Sequence, residues 1–319
     1  MNSTNITVNN VFNNILKVVG LAVIFAASIV IPTLIIPVSP EIVSRITEDM
    51  QNKMFGLMLL VSLLGAIALS VNVKLSEWGG IKLILSLGLS LWGIEYFMAQ
   101  IETFYFRDAF TFMTNVEILN IILRGVITTA MVVPLTVIIF GKQKATREIS
   151  IKESLERIEI KSWMKKAPLF SLFYIIIYLL FGYYVAWQFE AVRMFYSGST
   201  EQLDFVTQIV RTIREMPLFL PYHFIRGLLW VVFSIPIILM MDGSRIKTMI
   251  GLISIFSYHG FQIIMAQGIF PQDVLIAHTI ETTVSACIYG GLIGYMFNIR
   301  ETEVTYGNVH NLVKEINHD

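Results

Sequence analysis

Cysteine is almost missing from this chain: there is one, Cys287, in 319 residues. A single thiol excludes an internal disulfide framework and a cysteine-rich metal centre. Charge is scarce as well. Asp, Glu, Lys and Arg make up 14% of the residues, where a water-soluble domain carries about 25%. The signs cancel to a net charge of zero, so bulk electrostatics point to no nucleic-acid partner. A phosphate-binding glycine loop and a His-Glu-x-x-His zinc motif are both absent. The motif sets of rhomboid, site-2 and CAAX-type intramembrane proteases are absent too, and the sequence names no cofactor.

What fills the chain instead is apolar. At 55% apolar residues it could not cover a water-facing surface, whereas a surface that meets lipid needs no such cover. Crossing the roughly 30 Å hydrocarbon core takes about 20 apolar residues. Eight stretches qualify, at 16–38, 54–73, 82–104, 119–140, 167–189, 221–241, 247–268 and 277–298. The last is the weakest, because His278 and Glu281 open it. Helices are required, since open strands would leave backbone groups unpaired in lipid. The expected fold is therefore all-α: a polytopic bundle of about eight spans contacting the lipid bilayer.

Lys and Arg positions orient it. With the N-terminus inside, fifteen basic residues fall on the inner side, eight of them in the 141–166 loop and two, Arg300 and Lys314, in the tail. Six (Arg45, Lys53, Arg107, Arg193, Arg211 and Arg214) fall outside. Both termini are thus expected in the cytoplasm. Richness in Ile, Asn and Lys points to a bacterial cell membrane. The chain divides into a four-helix half (1–140), a basic connector (141–166), a second four-helix half (167–298) and a polar tail (299–319). In the connector, Ile151, Leu155 and Ile158 recur at helical spacing among Lys and Glu, as in an amphipathic helix on the inner leaflet. A short helix is expected around Asp204–Arg214 in the outer loop.

The sequence repeats itself. Arg124-Gly125, Pro134 and Gly141 match Arg226-Gly227, Pro236 and Gly243, with identical spacing. This predicts parallel helical hairpins 3–4, 5–6 and 7–8. Glycine beside arginine admits a neighbouring helix, proline kinks the span, and the last glycine ends it.

Ionisable groups within spans are functional candidates. On this topology Glu95, Glu102, Arg124, Arg226, His259, Gln262, His278 and Glu281 all fall in the outer half. The inner half holds hydroxyls and lysines at its edge. Glu95 and Glu102 share a face at a spacing of seven, and His278 and Glu281 are adjacent at three. The deeper charges balance as Glu95 and Glu281 against Arg124 and Arg226, so an interhelical structural network is one reading. Another is an outward-opening pocket that binds a small anionic or lipid-like ligand through the arginines. Proton-coupled transport of a small solute is an alternative carried by the buried carboxylates. A metal-dependent enzyme using His278, Glu281, His259 and Glu95 is a further one.

Overall fold

The computed structural model describes residues 2–145, 150–297 and 299, with side chains from residue 10 onward. Eight long helices dominate it. They are α1 (Asn2–Ile35), α2 (Glu48–Leu75), α3 (Gly80–Tyr105), α4 (Asn115–Ile139), α5 (Ile160–Tyr184), α6 (Phe219–Met240), α7 (Arg245–Gln262) and α8 (Gln272–Met296). Seven are long and apolar enough to cross a membrane. The eighth, α8, is as long but less apolar, interrupted by Glu281 and three glycines. The protein is a multi-pass helical membrane protein of about eight spans.

Local chemistry sets where the helices begin and end. Thr47, Thr114 and Ser244 each accept a hydrogen bond from the backbone N–H three residues on, starting α2, α4 and α7. Asp204 does the same for the helix Phe205–Glu215, which lies where the sequence placed a short helix. Gly141 and Gly243 leave α4 and α6 with φ of +69° and +87°, a conformation costly for any residue with a Cβ.

The helices pair as antiparallel hairpins, α1–α2, α3–α4, α5–α6 and α7–α8. Consecutive hairpins join in one way: α1 packs on α4, α3 on α6 and α5 on α8. Contact between α2 and α7 then closes a ring of eight. All odd helices run one way and all even ones the other. One continuous apolar core draws on every helix, from Phe25 of α1 to Ile293 of α8. The division into two four-helix halves is therefore a feature of the chain and not of the packing. On the outside, large apolar side chains such as Leu85, Leu172, Val232 and Ile280 stand exposed, as a lipid-facing surface requires.

Two boundaries differ from expectation. The connector holds a helix of only six residues, Ile151–Glu156, closed by a capping box between Ser150 and Glu153. Residues 160–166 belong to α5, and Trp163 is buried against Phe297 rather than lying on a membrane surface. The helical spacing of Ile151 and Leu155 was real, but Ile158 falls past its end. At the other terminus Ile299 is buried in the core. Arg147 and the tail from Arg300 onward, Lys314 included, lie outside the described residues.

The two ends differ in kind. At the basic end the cations are tied to the loops: Lys247 to Glu77, Arg157 to Asp242, and Lys142 Nζ to the Ser76 carbonyl at 2.7 Å. At the far end, Ile42, Phe110, Met113 and Ile118 pack with Phe195 and Phe270 into an apolar cap over the helix ends.

Close helix approach makes one test direct. A Cβ on Gly260 would lie 2.3 Å from the backbone of Thr283 on α8, whereas one on Gly182 meets nothing within 4 Å. Gly260→Ala should lower the stability of the detergent-solubilised protein by about 1–3 kcal/mol. Gly182→Ala should leave it unchanged or raise it by about 0.5–1 kcal/mol. Thermal unfolding of the two variants checks both.

Candidate functional site

Polar groups gather along one face of α6. Phe219, His223, Arg226 and Trp230 follow each other at spacings of four, three and four, so they form a stripe, and all are buried. The stripe faces α3, where Glu95 and Glu102 stand two turns apart, about 10 Å along the axis. The two helices are antiparallel. Glu102 therefore meets Arg226, and Glu95 lies one level deeper, near Trp230.

Arg226 is the centre of the upper level. One terminal nitrogen pairs with Glu102 and the other donates to the Tyr174 hydroxyl of α5. Its Nε has no partner among the described residues. Tyr178 lies 3.4 Å from the other Glu102 oxygen, and the Trp230 ring stands 5.9 Å from the guanidinium carbon. The exposures of the two ions differ sharply. The Arg226 side chain is 3% exposed and that of Glu102 is 32% exposed. His223 is sealed among Tyr105, Phe106, Tyr174, Tyr178, Phe219 and Tyr222, with neither ring nitrogen partnered among the described residues.

The lower level is Glu95 with His259 of α7. His259 Nδ1 is 3.7 Å from Glu95 Oε2, and both side chains are almost completely buried. Neither Glu95 oxygen receives a hydrogen bond from a described residue. Around Glu95 the helix widens into a π turn, Gly93–Phe97, in which the Met98 N–H reaches back five residues to Gly93. Such turns shift side chains off the regular helical face. Gln262 donates its side-chain amide to the Glu95 carbonyl at 2.9 Å, so a hydrogen bond ties α7 to this turn. Trp230 links the levels, its ring packing edge-on against His259 at 5.0 Å.

His278 and Glu281 form a third group on α8. His278 Nδ1 is 3.8 Å from Glu281, and its Nε2 is 3.0 Å from the Tyr196 hydroxyl. Tyr196 belongs to the helix Glu190–Ser197, outside the spans. Burial and the nearby negative charges of Glu102 and Glu281 push its phenol up from the ordinary tyrosine value. The Tyr196 hydroxyl and His278 Nε2 share one hydrogen bond, whose donor is set by the histidine tautomer.

Arg124 stands apart from these groups. It pairs with Glu117 on its own helix, one nitrogen also lies 3.4 Å from the Ile36 carbonyl, and Glu117 accepts from the Ser39 N–H at 3.1 Å. The balance expected from sequence is thus redrawn: Arg124 with Glu117, Arg226 with Glu102, and Glu95 and Glu281 each facing a histidine. The apolar run that predicts helix 4 starts at residue 119, which puts Glu117 in the preceding loop. The structure starts α4 at Asn115, which brings Glu117 and Arg124 onto one face at a spacing of seven. That same spacing was the available signal.

The expected outward-opening pocket is filled and capped. The groups are packed among rings, and within the Arg226–Glu102 pair Glu102 is the more exposed partner. The proposed metal ligands divide into the pairs Glu95–His259 and His278–Glu281, and among the described residues no three His, Cys, Asp or Glu side chains come together to hold an ion. Tyr196, at the depth the sequence assigns to a ring of aromatics around the site, contacts His278, whereas nothing in the sequence singles out Tyr174 and Tyr178. The chain matches no family model, no curated protein and no solved structure at a significant level, so the functional argument rests on this geometry.

The Arg124–Glu117 pair should behave as structure. Breaking a buried pair by removing one partner costs about 3–5 kcal/mol, while removing both is often neutral. Glu117→Gln should strongly lower the unfolding temperature, and Glu117→Gln combined with Arg124→Met should recover most of the loss. Equal destabilisation in the single and double variants would contradict the pairing.

Proposed function

We propose that this membrane protein binds a small anion, or the anionic head of an amphiphile, at Arg226 from the far end of the bundle. The observation that carries this reading is the mismatch of exposure within the Arg226–Glu102 pair. A fixed guanidinium lies in a ring-lined site, and its counter-ion stands on the open side. In that arrangement the Glu102 carboxylate occupies the position a ligand's carboxylate or phosphate would take. A planar guanidinium suits such two-oxygen groups, and low local dielectric strengthens the contact. The unpartnered Nε offers a further donor. Glu102 swinging toward water exposes Arg226, and its return releases the anion. On the charge-derived topology the site faces away from the cytoplasm.

Truncating Glu102 tests the reading directly. Glu102→Ala leaves Arg226 without its partner and opens a space of carboxylate size. The loss should be about 1–2 kcal/mol, below the fully buried value because Glu102 is partly solvated. Formate or acetate, titrated at constant ionic strength, should restore the unfolding temperature of Glu102→Ala. Neither anion should do so for Glu102→Ala combined with Arg226→Gln. A Glu102→Ala protein indifferent to both anions would sink the reading.

A further inference from the structure

The anion site makes no use of the deepest groups in the stripe. Glu95 and His259 sit one level below Arg226, both buried, with Oε2 and Nδ1 3.7 Å apart. That distance is longer than a hydrogen bond, and closing it to about 2.9 Å needs a movement of under an ångström. Neither Glu95 oxygen, nor His259 Nδ1, has a hydrogen-bond partner among the described residues. An isolated carboxylate buried without donors is among the costliest groups a protein can hold. A carboxyl and an imidazole sharing one proton avoid that cost, because the pair is neutral whichever atom holds the proton.

The surroundings equip this pair for exchange. Glu95 stands in the π turn of α3, and Gln262 fastens that turn to α7, the helix that carries His259. A shift of α7 along α3 therefore changes the Glu95–His259 distance directly. The titratable and charged groups that face the pair come from three helices: Tyr96 on α3, Tyr258 on α7 and Arg226 on α6. On α4 the Thr128 hydroxyl interacts with Tyr96, and Arg124 is turned to Glu117. Arg226 is the one group among these that is always charged, and it stands beyond Trp230.

We propose that Glu95 and His259 form a proton-binding site that loads from water and releases to it. Transfer within the pair breaks the Glu95 O–H bond and forms the His259 N–H bond, leaving net charge unchanged. Uptake of a second proton from hydronium adds one positive charge on the Arg226 side of the core. That charge favours an anion at Arg226, so proton and anion would load together. The proton site itself stands without the anion site, and failure of the acetate experiment leaves it untouched.

Trp230 reports on the pair, because a protonated imidazole quenches an indole that it touches. Intrinsic fluorescence of the full-length protein in detergent should follow a single-proton curve with pH. The curve should vanish in Trp230→Phe and in His259→Gln, and move to a different midpoint in Glu95→Gln. A curve that persists in His259→Gln overturns the proposal. Infrared pH-difference spectra give a measurement that needs no variant to fold. The wild-type protein should show a protonated-carboxyl C=O band whose intensity changes with pH. A wild-type spectrum without one overturns the proposal as well.

Discussion

A guanidinium at the depth of Arg226 has no water to fall back on, and this constraint organises the polar interior. Every donor it carries has to meet a group supplied by another helix or go unpaired. Glu102 comes from α3 and Tyr174 from α5, so one side chain of α6 holds together three helices of two hairpins. The rings around Arg226 keep the guanidinium buried, which strengthens the pair and raises the cost of breaking it. Such a site is stiff by construction. The freedom it retains lies on the side of Glu102, which is 32% exposed where Arg226 is 3% exposed.

The ring of hairpins explains how such a stripe can exist in a chain so poor in charge. Each hairpin buries its own apolar seam, and each odd helix then offers a second face to the even helix of the next hairpin. Glycines make these faces close. A Cβ on Gly93 would strike Phe233, and one on Gly125 would strike Tyr96. Close packing brings α3 toward the interior of the ring at the π turn, where it touches α4, α6 and α7 together. Glu95 is therefore central because three helices converge on its turn, and not because any one of them is unusually polar. The aromatic cap at the far end packs over the helix ends.

The fold was legible in the sequence because lipid imposes a rule on every residue of a span. Eight apolar stretches, the basic bias of one side and the repeated Arg-Gly, Pro and Gly spacing all carry through to the ring. The site was legible only as a depth. Spacing along one helix correctly paired His278 with Glu281, yet the partners of Arg226 and His259 lie on other helices, and periodicity carries no information across the ring. Glu117 was lost to a helix start misplaced by four residues. In the connector the helical spacing of Ile151 and Leu155 marks a real helix with both side chains exposed, but the pattern does not show that residues 160–166 already belong to α5. Tyr174 and Tyr178 sit on a helix rich in aromatics, and nothing in their order marks the two that face inward.

The two copies of the repeat differ in how their arginines are paired. Both arginines precede a glycine that admits the partner helix of the hairpin, Tyr96 against Gly125 and Ser171 against Gly227. Both helices carry the proline and end at a left-handed glycine. The counter-ions differ in a way that matters for chemistry. Arg124 takes Glu117 from its own helix, at 2% exposure, and a backbone carbonyl from the end of α1. No movement of one helix against another separates that pair. Arg226 takes its carboxylate from a different hairpin, so relative motion of α3 and α6 changes the distance between the charges. A pair within one helix fixes a position, whereas a pair between helices can register a displacement. On that distinction the second copy, and not the first, couples its ion pair to the relative position of two helices.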